Sequence, residues 1–89
     1  MAWRIEFLPE AARELRAIDG STRRRLLLFF RDRLAPRDDP RSLGEPLRGP
    51  SLGKYWRYLV GDYRIVCDLR DDRIVIVVVH IGHRRDVYR

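Results

Sequence analysis

The sequence predicts an α+β fold: an N-terminal strand, an antiparallel helical hairpin and a three-stranded antiparallel meander, making one four-stranded sheet with the helices on one face. Three observations predict it. Trp3, Ile5 and Phe7 alternate with Arg4 and Glu6, the period of a half-buried strand. Apolar residues then recur at helical spacing from Leu8 to Leu34, broken at Asp19-Gly20. Finally, three strand-like runs follow residue 53, separated by Gly61-Asp62 and by Asp71-Asp72.

Pro9 suits the first turn of a helix, and Leu8, Ala11, Ala12, Leu15 and Ile18 share one side of it. Ser21 is the expected N-cap of the second helix, which runs from Thr22 to Ala35. Its stripe of Leu26, Leu27, Leu28, Phe29, Phe30 and Leu34 leaves Arg23, Arg24, Arg25, Arg31 and Arg33 for the remaining surface. So short a link between two helices predicts an antiparallel hairpin. The segment from Pro36 to Leu52 holds four of the five prolines and no clear period, so it reads as an ordered, irregular connection.

The expected strands are Lys54 to Val60, Tyr63 to Leu69 and Ile74 to Ile81. Two-residue turns would pair Val60 with Tyr63 and Arg70 with Arg73, which sorts the side chains onto two faces. Trp56, Tyr58, Val60, Ile65, Cys67, Leu69, Ile74, Ile76 and Val78 form the core face beneath the helices. Tyr55, Arg57, Leu59, Arg64, Val66, Asp68, Val75, Val77 and Val79 form an open face that carries two arginines on neighbouring strands.

At 89 residues the chain is expected to be a single domain, residues 1–89, too short for separate substrate and cofactor domains. Lys+Arg 19 against Asp+Glu 13 gives a net charge of +6, which makes polyanions plausible partners. One cysteine excludes an intramolecular disulfide, and no apolar run is long enough to span a bilayer or serve as a signal peptide. A cytoplasmic protein is expected. With His80, His83 and Cys67 as the only soft or borderline ligands, no metal is expected, and no cofactor either.

Beyond the last strand the chain reads Gly82-His83-Arg84-Arg85-Asp86-Val87-Tyr88-Arg89, which no ordinary stability argument demands. Guanidinium groups offer forked donors to phosphate oxygens, histidine titrates near neutrality, and tyrosine stacks on bases or exchanges a proton. Together with Arg57 and Arg64, such groups suffice to bind and cut RNA without metal.

The order of elements, with Trp3-Arg4-Ile5-Glu6-Phe7, Ala11-Ala12-Arg13-Glu14-Leu15, Pro46-Leu47-Arg48-Gly49, the Trp56–Val66 hairpin and the Gly82–Tyr88 ending, resembles the RelE/ParE superfamily of bacterial toxin–antitoxin toxins. The resemblance spans essentially the whole chain. Its most specific carriers are the Gly61-Asp62-Tyr63-Arg64 turn and the Gly82-His83-Arg84 ending with Tyr88. It implies a toxin held inactive by a cognate antitoxin in a hetero-oligomer. In the RelE branch it implies an endoribonuclease that cuts mRNA on the ribosome, by attack of a ribose 2'-hydroxyl on the adjacent phosphate. The ParE branch instead poisons DNA gyrase.

By position, the resemblance gives Arg64 and Arg84 the phosphate clamp and Tyr88 the C-terminal tyrosine's place. Arg57 stands where RelE enzymes often carry a lysine, and Tyr55 stands at the second such position, so the general base is open, with His83 as a substitute. Lys54, Arg48 and Arg85 are the expected RNA contacts, although alternation puts Lys54 toward the core side unless a bulge re-aims it. The reading favoured here is a metal-independent, ribosome-dependent mRNA endoribonuclease. The alternatives are a gyrase inhibitor with no chemistry of its own and a degenerate toxin acting only in an antitoxin regulatory complex.

Overall fold

Alternation becomes strand β1 at Arg4–Phe7, where Arg4 is exposed and Ile5 and Phe7 pack against the core. The computed structural model describes residues 2–50 and 52–84. Helix α1 follows at Pro9–Ala17, with proline in its first turn and Ala11 and Leu15 buried. Helix α2 occupies Gly20–Leu28 and continues as a π-helical turn over Phe29–Leu34. The wider turn serves both phenylalanines: Phe29 lies against Tyr58, with ring centroids 6.2 Å apart, and Phe30 meets Phe7 edge-on at 5.5 Å.

The expected N-cap, Ser21, is displaced by Asp19. The Asp19 carboxylate accepts from the Thr22 backbone N–H at 3.1 Å and from Ser21 Oγ at 2.7 Å. A carboxylate at a helix N-terminus meets orphan N–H donors and the positive end of the helix dipole, so the helix begins before Ser21. Those hydrogen bonds, the Ser21 hydroxyl foremost, pull the Asp19 pKa down to about 2. Arg23 then closes the end of α1, its Nη1 donating to the Ile18 carbonyl at 2.9 Å.

The sheet has five strands where four were expected, in the order β1, β5 (Val75–His83), β4 (Tyr63–Arg70), β3 (Tyr55–Val60), β2 (Glu45–Pro46). The addition is β2, the dipeptide Glu45–Pro46, too short to leave a period in the sequence. It sits on the outer edge of β3, Tyr55–Val60, and proline there costs no ladder donor that the sheet interior would need. The segment before it is tied down by a 3-10 turn at Pro40–Leu43 and by the Tyr58 hydroxyl, which donates to the Pro40 carbonyl at 3.0 Å in the interior.

Val60 pairs with Tyr63 across Gly61-Asp62, as the two-residue turn requires, and Gly61 has φ +59°. The next connection differs. β4, Tyr63–Arg70, meets β5, Val75–His83, with Arg70 opposite Val75, so the turn holds four residues rather than two. Ile74 takes φ +54°, a strained value for a β-branched residue. Lengthening by two keeps the parity of the strand, and the Cys67, Leu69, Ile76 and Val78 side chains stay on the core face as expected. One residue further on, the register slips: Val78 opposes Cys67 but His80 opposes Val66, leaving Val79 as a bulge. β1 lies parallel to β5, and the core joins Ala11, Leu15, Leu26, Phe30 and Leu34 of the helices to Tyr58, Ile65, Cys67, Ile76 and Val78 of the sheet.

Candidate nucleic-acid interface

On the open face the ladder sets Glu45, Arg57 and Val66 in one row and Leu59, Arg64 and Gly82 in the next. Arg57 and Arg64 are therefore diagonal neighbours on adjacent strands, a separation of about 7–8 Å between backbones. Gly82 adds no side chain beside Arg64. Both arginines have their Nε atoms shielded from solvent, so the stems lie along the sheet. Arg84 is exposed, and its backbone N–H donates to the Asp62 carbonyl at 2.7 Å, which ties it to the β3–β4 turn beside that row.

Arg57 is engaged. Its Nη2 forms an ion pair with Glu45 Oε2, a partner that sequence reading missed because β2 itself was not legible. Arg48 joins them: Glu45, Pro46, Leu47, Arg48 and Arg57 line a cavity of about 540 Å³. Lys54 is exposed, and its Nζ lies 5.1 Å from the ring of Tyr55, a residue of the open face, rather than pointing to the core. Tyr88 and Arg85 lie outside the described residues.

His83 does not join the arginines. It opposes Tyr63, whose ring it meets edge-on at 5.4 Å, and this row alternates onto the core side of the sheet. The bulge at Val79 is the reason, because it inverts the parity of β5 from His80 onward. His80 is likewise drawn aside: its Nδ1 lies 2.8 Å from Glu14 Oε2 on α1, while Glu14 Oε1 accepts from the Ile81 backbone N–H at 3.0 Å. The carboxylate thus satisfies a β5 edge that β1 is too short to cover. Glu10 lies beside this pair, and one ligand atom from each of Glu10, Glu14 and His80 falls within 4.8 Å of the others.

The far end of the open face is different in kind. Arg4 pairs with Glu6 at 3.1 Å, and Arg70 with Asp68 at 2.8 Å. Nearby, Arg41 bridges to Asp71 at 2.6 Å and lies 5.8 Å from the Trp56 ring. Burial pushes the Cys67 thiol and the Tyr58 hydroxyl far up from their ordinary values, so neither supplies an anion at neutral pH. Among the described residues no helix is long and apolar enough to cross a membrane.

The fold is shared with known toxins. The toxin of the RelBE2 toxin–antitoxin complex from Mycobacterium tuberculosis is 23% identical, with 94% of this chain and 100% of that one covered at a TM-score of 0.84. The isolated E. coli RelE toxin is 25% identical, over 98% of this chain and 92% of that one, with a TM-score of 0.71. An archaeal RelE–RelB complex from Pyrococcus horikoshii gives 26% identity, 97% and 99% coverage, and a TM-score of 0.74. No curated protein sequence matches. The model of the ParE toxin family of type II toxin–antitoxin systems, however, matches residues 5–88. By that match over nearly its whole length, together with the shared fold, the chain belongs to the ParE toxin family of the RelE/ParE superfamily.

Proposed function

We propose that this toxin acts as a ribosome-dependent mRNA endoribonuclease and is restrained by a cognate antitoxin. The observation that supports it most is the placing of Arg57 and Arg64 on adjacent strands of the open face, with Arg84 tied beside the same turn. Two guanidiniums on one face of a small sheet, with an exposed third arginine anchored at the adjoining turn, suit a phosphodiester backbone. Structural similarity to RelE toxins and to complexes with RelB antitoxins supports both halves of the reading.

In the proposed reaction the ribose 2'-hydroxyl attacks the neighbouring phosphorus and the bond to the 5'-oxygen breaks, leaving a 2',3'-cyclic phosphate and a 5'-hydroxyl. Arg64 and Arg84 oppose the charge that grows on the phosphoryl oxygens. Guanidinium hardly deprotonates, so proton transfer falls to another group, for which Tyr88 is preferred over His83, given the side of the sheet on which His83 lies. Arg48, Lys54 and Arg85 would hold flanking phosphates. The ribosome supplies the remaining order, because a few arginines cannot by themselves hold a flexible strand in attack geometry.

The match to the ParE toxin family favours a second reading: inhibition of DNA gyrase by binding alone, the activity that the resemblance implies for that branch. Induced expression followed by mapping of mRNA 5' ends separates the two. Cuts within translated frames at positions protected by ribosomes are expected. Intact messages, together with loss of supercoiling by purified gyrase when the toxin is added, would overturn the nuclease reading.

A further inference from the structure

We propose that Glu45 is a built-in competitor for Arg57, a carboxylate that a substrate phosphate must displace, so that RNA presented at high local concentration is accepted and free RNA is refused. The inference rests on the nuclease reading and concerns substrate admission at the same face. Three features carry it. First, the ladder places Glu45 directly opposite Arg57, so the ion pair follows from backbone pairing and not from a chance rotamer. Second, β2 is held rigidly there. A Cβ on Gly44 would stand 2.7 Å from Tyr58 Cε1 and 2.9 Å from the Arg57 carbonyl oxygen, so only glycine lets the segment approach this closely. The Tyr58 hydroxyl's bond to Pro40 fixes the same segment from the other side.

Third, the two partners differ in exposure: the Arg57 side chain is 24% exposed, against 67% for Glu45. The guanidinium lies against the sheet while the carboxylate stands toward solvent, on the side from which an incoming phosphate must displace it. Arg48, lining the same cavity, gives that phosphate a second cation as Glu45 leaves. An intramolecular anion competes at a fixed effective concentration, which a dilute ligand fails to match and a tethered one overcomes. Refusal of free RNA would then be partly a property of the toxin and not only of ribosomal geometry.

The test uses the full chain and a single-stranded RNA made uncleavable by 2'-O-methylation, with binding read by fluorescence anisotropy at physiological salt, where distant charges are screened. Glu45→Gln should bind about fivefold more tightly than wild type, the upper range for releasing one exposed ion pair. Glu6→Gln removes the same charge from the paired far end of the face and should change binding less than about twofold. On an Arg57→Ala background the gain from Glu45→Gln should vanish. Equal effects of the two glutamate substitutions, or a gain that survives Arg57→Ala, would overturn the proposal. So would Glu45→Gln abolishing cleavage on ribosomes without altering binding, since that assigns the carboxylate to proton transfer. Because binding is read without cleavage, a failed nuclease reading shows separately, as intact mRNA on ribosomes.

Discussion

The two ends of the open sheet face carry the same residue type to opposite effect. At the end formed by β1 and the far parts of β4 and β5, arginines meet acids two positions along their own strands: Arg4 with Glu6, Arg70 with Asp68. At the other end Arg57 and Arg64 share their rows with Val66, Leu59 and Gly82, and Arg57 pairs with an acid, Glu45, that comes from a different strand. An acid on the same strand neutralises its arginine wherever the strand goes. An acid delivered by a separate edge segment neutralises it only while that segment stays put. A net charge of +6 therefore says little about where a polyanion binds, and the origin of each partner says more.

The largest effect expected from this contrast is catalytic. Arg64→Ala and Arg84→Ala should each lower the initial rate of mRNA cleavage on ribosomes roughly a hundred to a thousandfold, the usual cost of one donor to a developing oxyanion. Arg70→Ala should leave the rate within about twofold. Comparable losses at both ends would erase the distinction.

A smaller effect concerns the edge segment. Gly44→Ala forces a methyl group into Tyr58 and the β3 backbone, and should destabilise the protein by about 1–3 kcal/mol in urea unfolding. Smaller again is Asp68→Asn, which should cost no more than about 1 kcal/mol, because its partner Arg70 is half exposed. A much larger loss would mean that the far end is structural in a way its charges do not explain.

The least effect is one of pH. Asp19 has its pKa lowered from 3.8 to about 2, so its contribution to stability is complete above pH 4 and is lost as pH falls toward 2. Thermal melts of wild type and Asp19→Ala should differ at pH 6 and converge near pH 2. Curves that stay parallel throughout would remove Asp19 as the cap.

Much of this was legible beforehand, for reasons that particular residues make plain. Val60 and Tyr63 flank a Gly-Asp pair that admits a tight turn, so the β3–β4 register, and with it the shared face of Arg57 and Arg64, followed from alternation. The turn from Arg70 to Val75 is two residues longer than alternation predicts, yet a difference of two leaves parity intact. The bulge at Val79 adds a single residue and does not. It carried His83 to the core side, and a run of Val77, Val78 and Val79 offers no local signal for it. Likewise β2 is a dipeptide with no period, so nothing in the sequence marks Glu45, although Arg48, which lines the same cavity, is legible as a cation near the face.

The claim that RNA is held at the Arg57–Arg64 end is tested most directly by following arginine Nε–Hε resonances while the uncleavable RNA is titrated into the full chain. Arg57 and Arg64 should shift progressively with added RNA, while Arg4 and Arg70, already committed to acids on their own strands, stay in place. Shifts at Arg4 and Arg70 with Arg57 and Arg64 unmoved would contradict it.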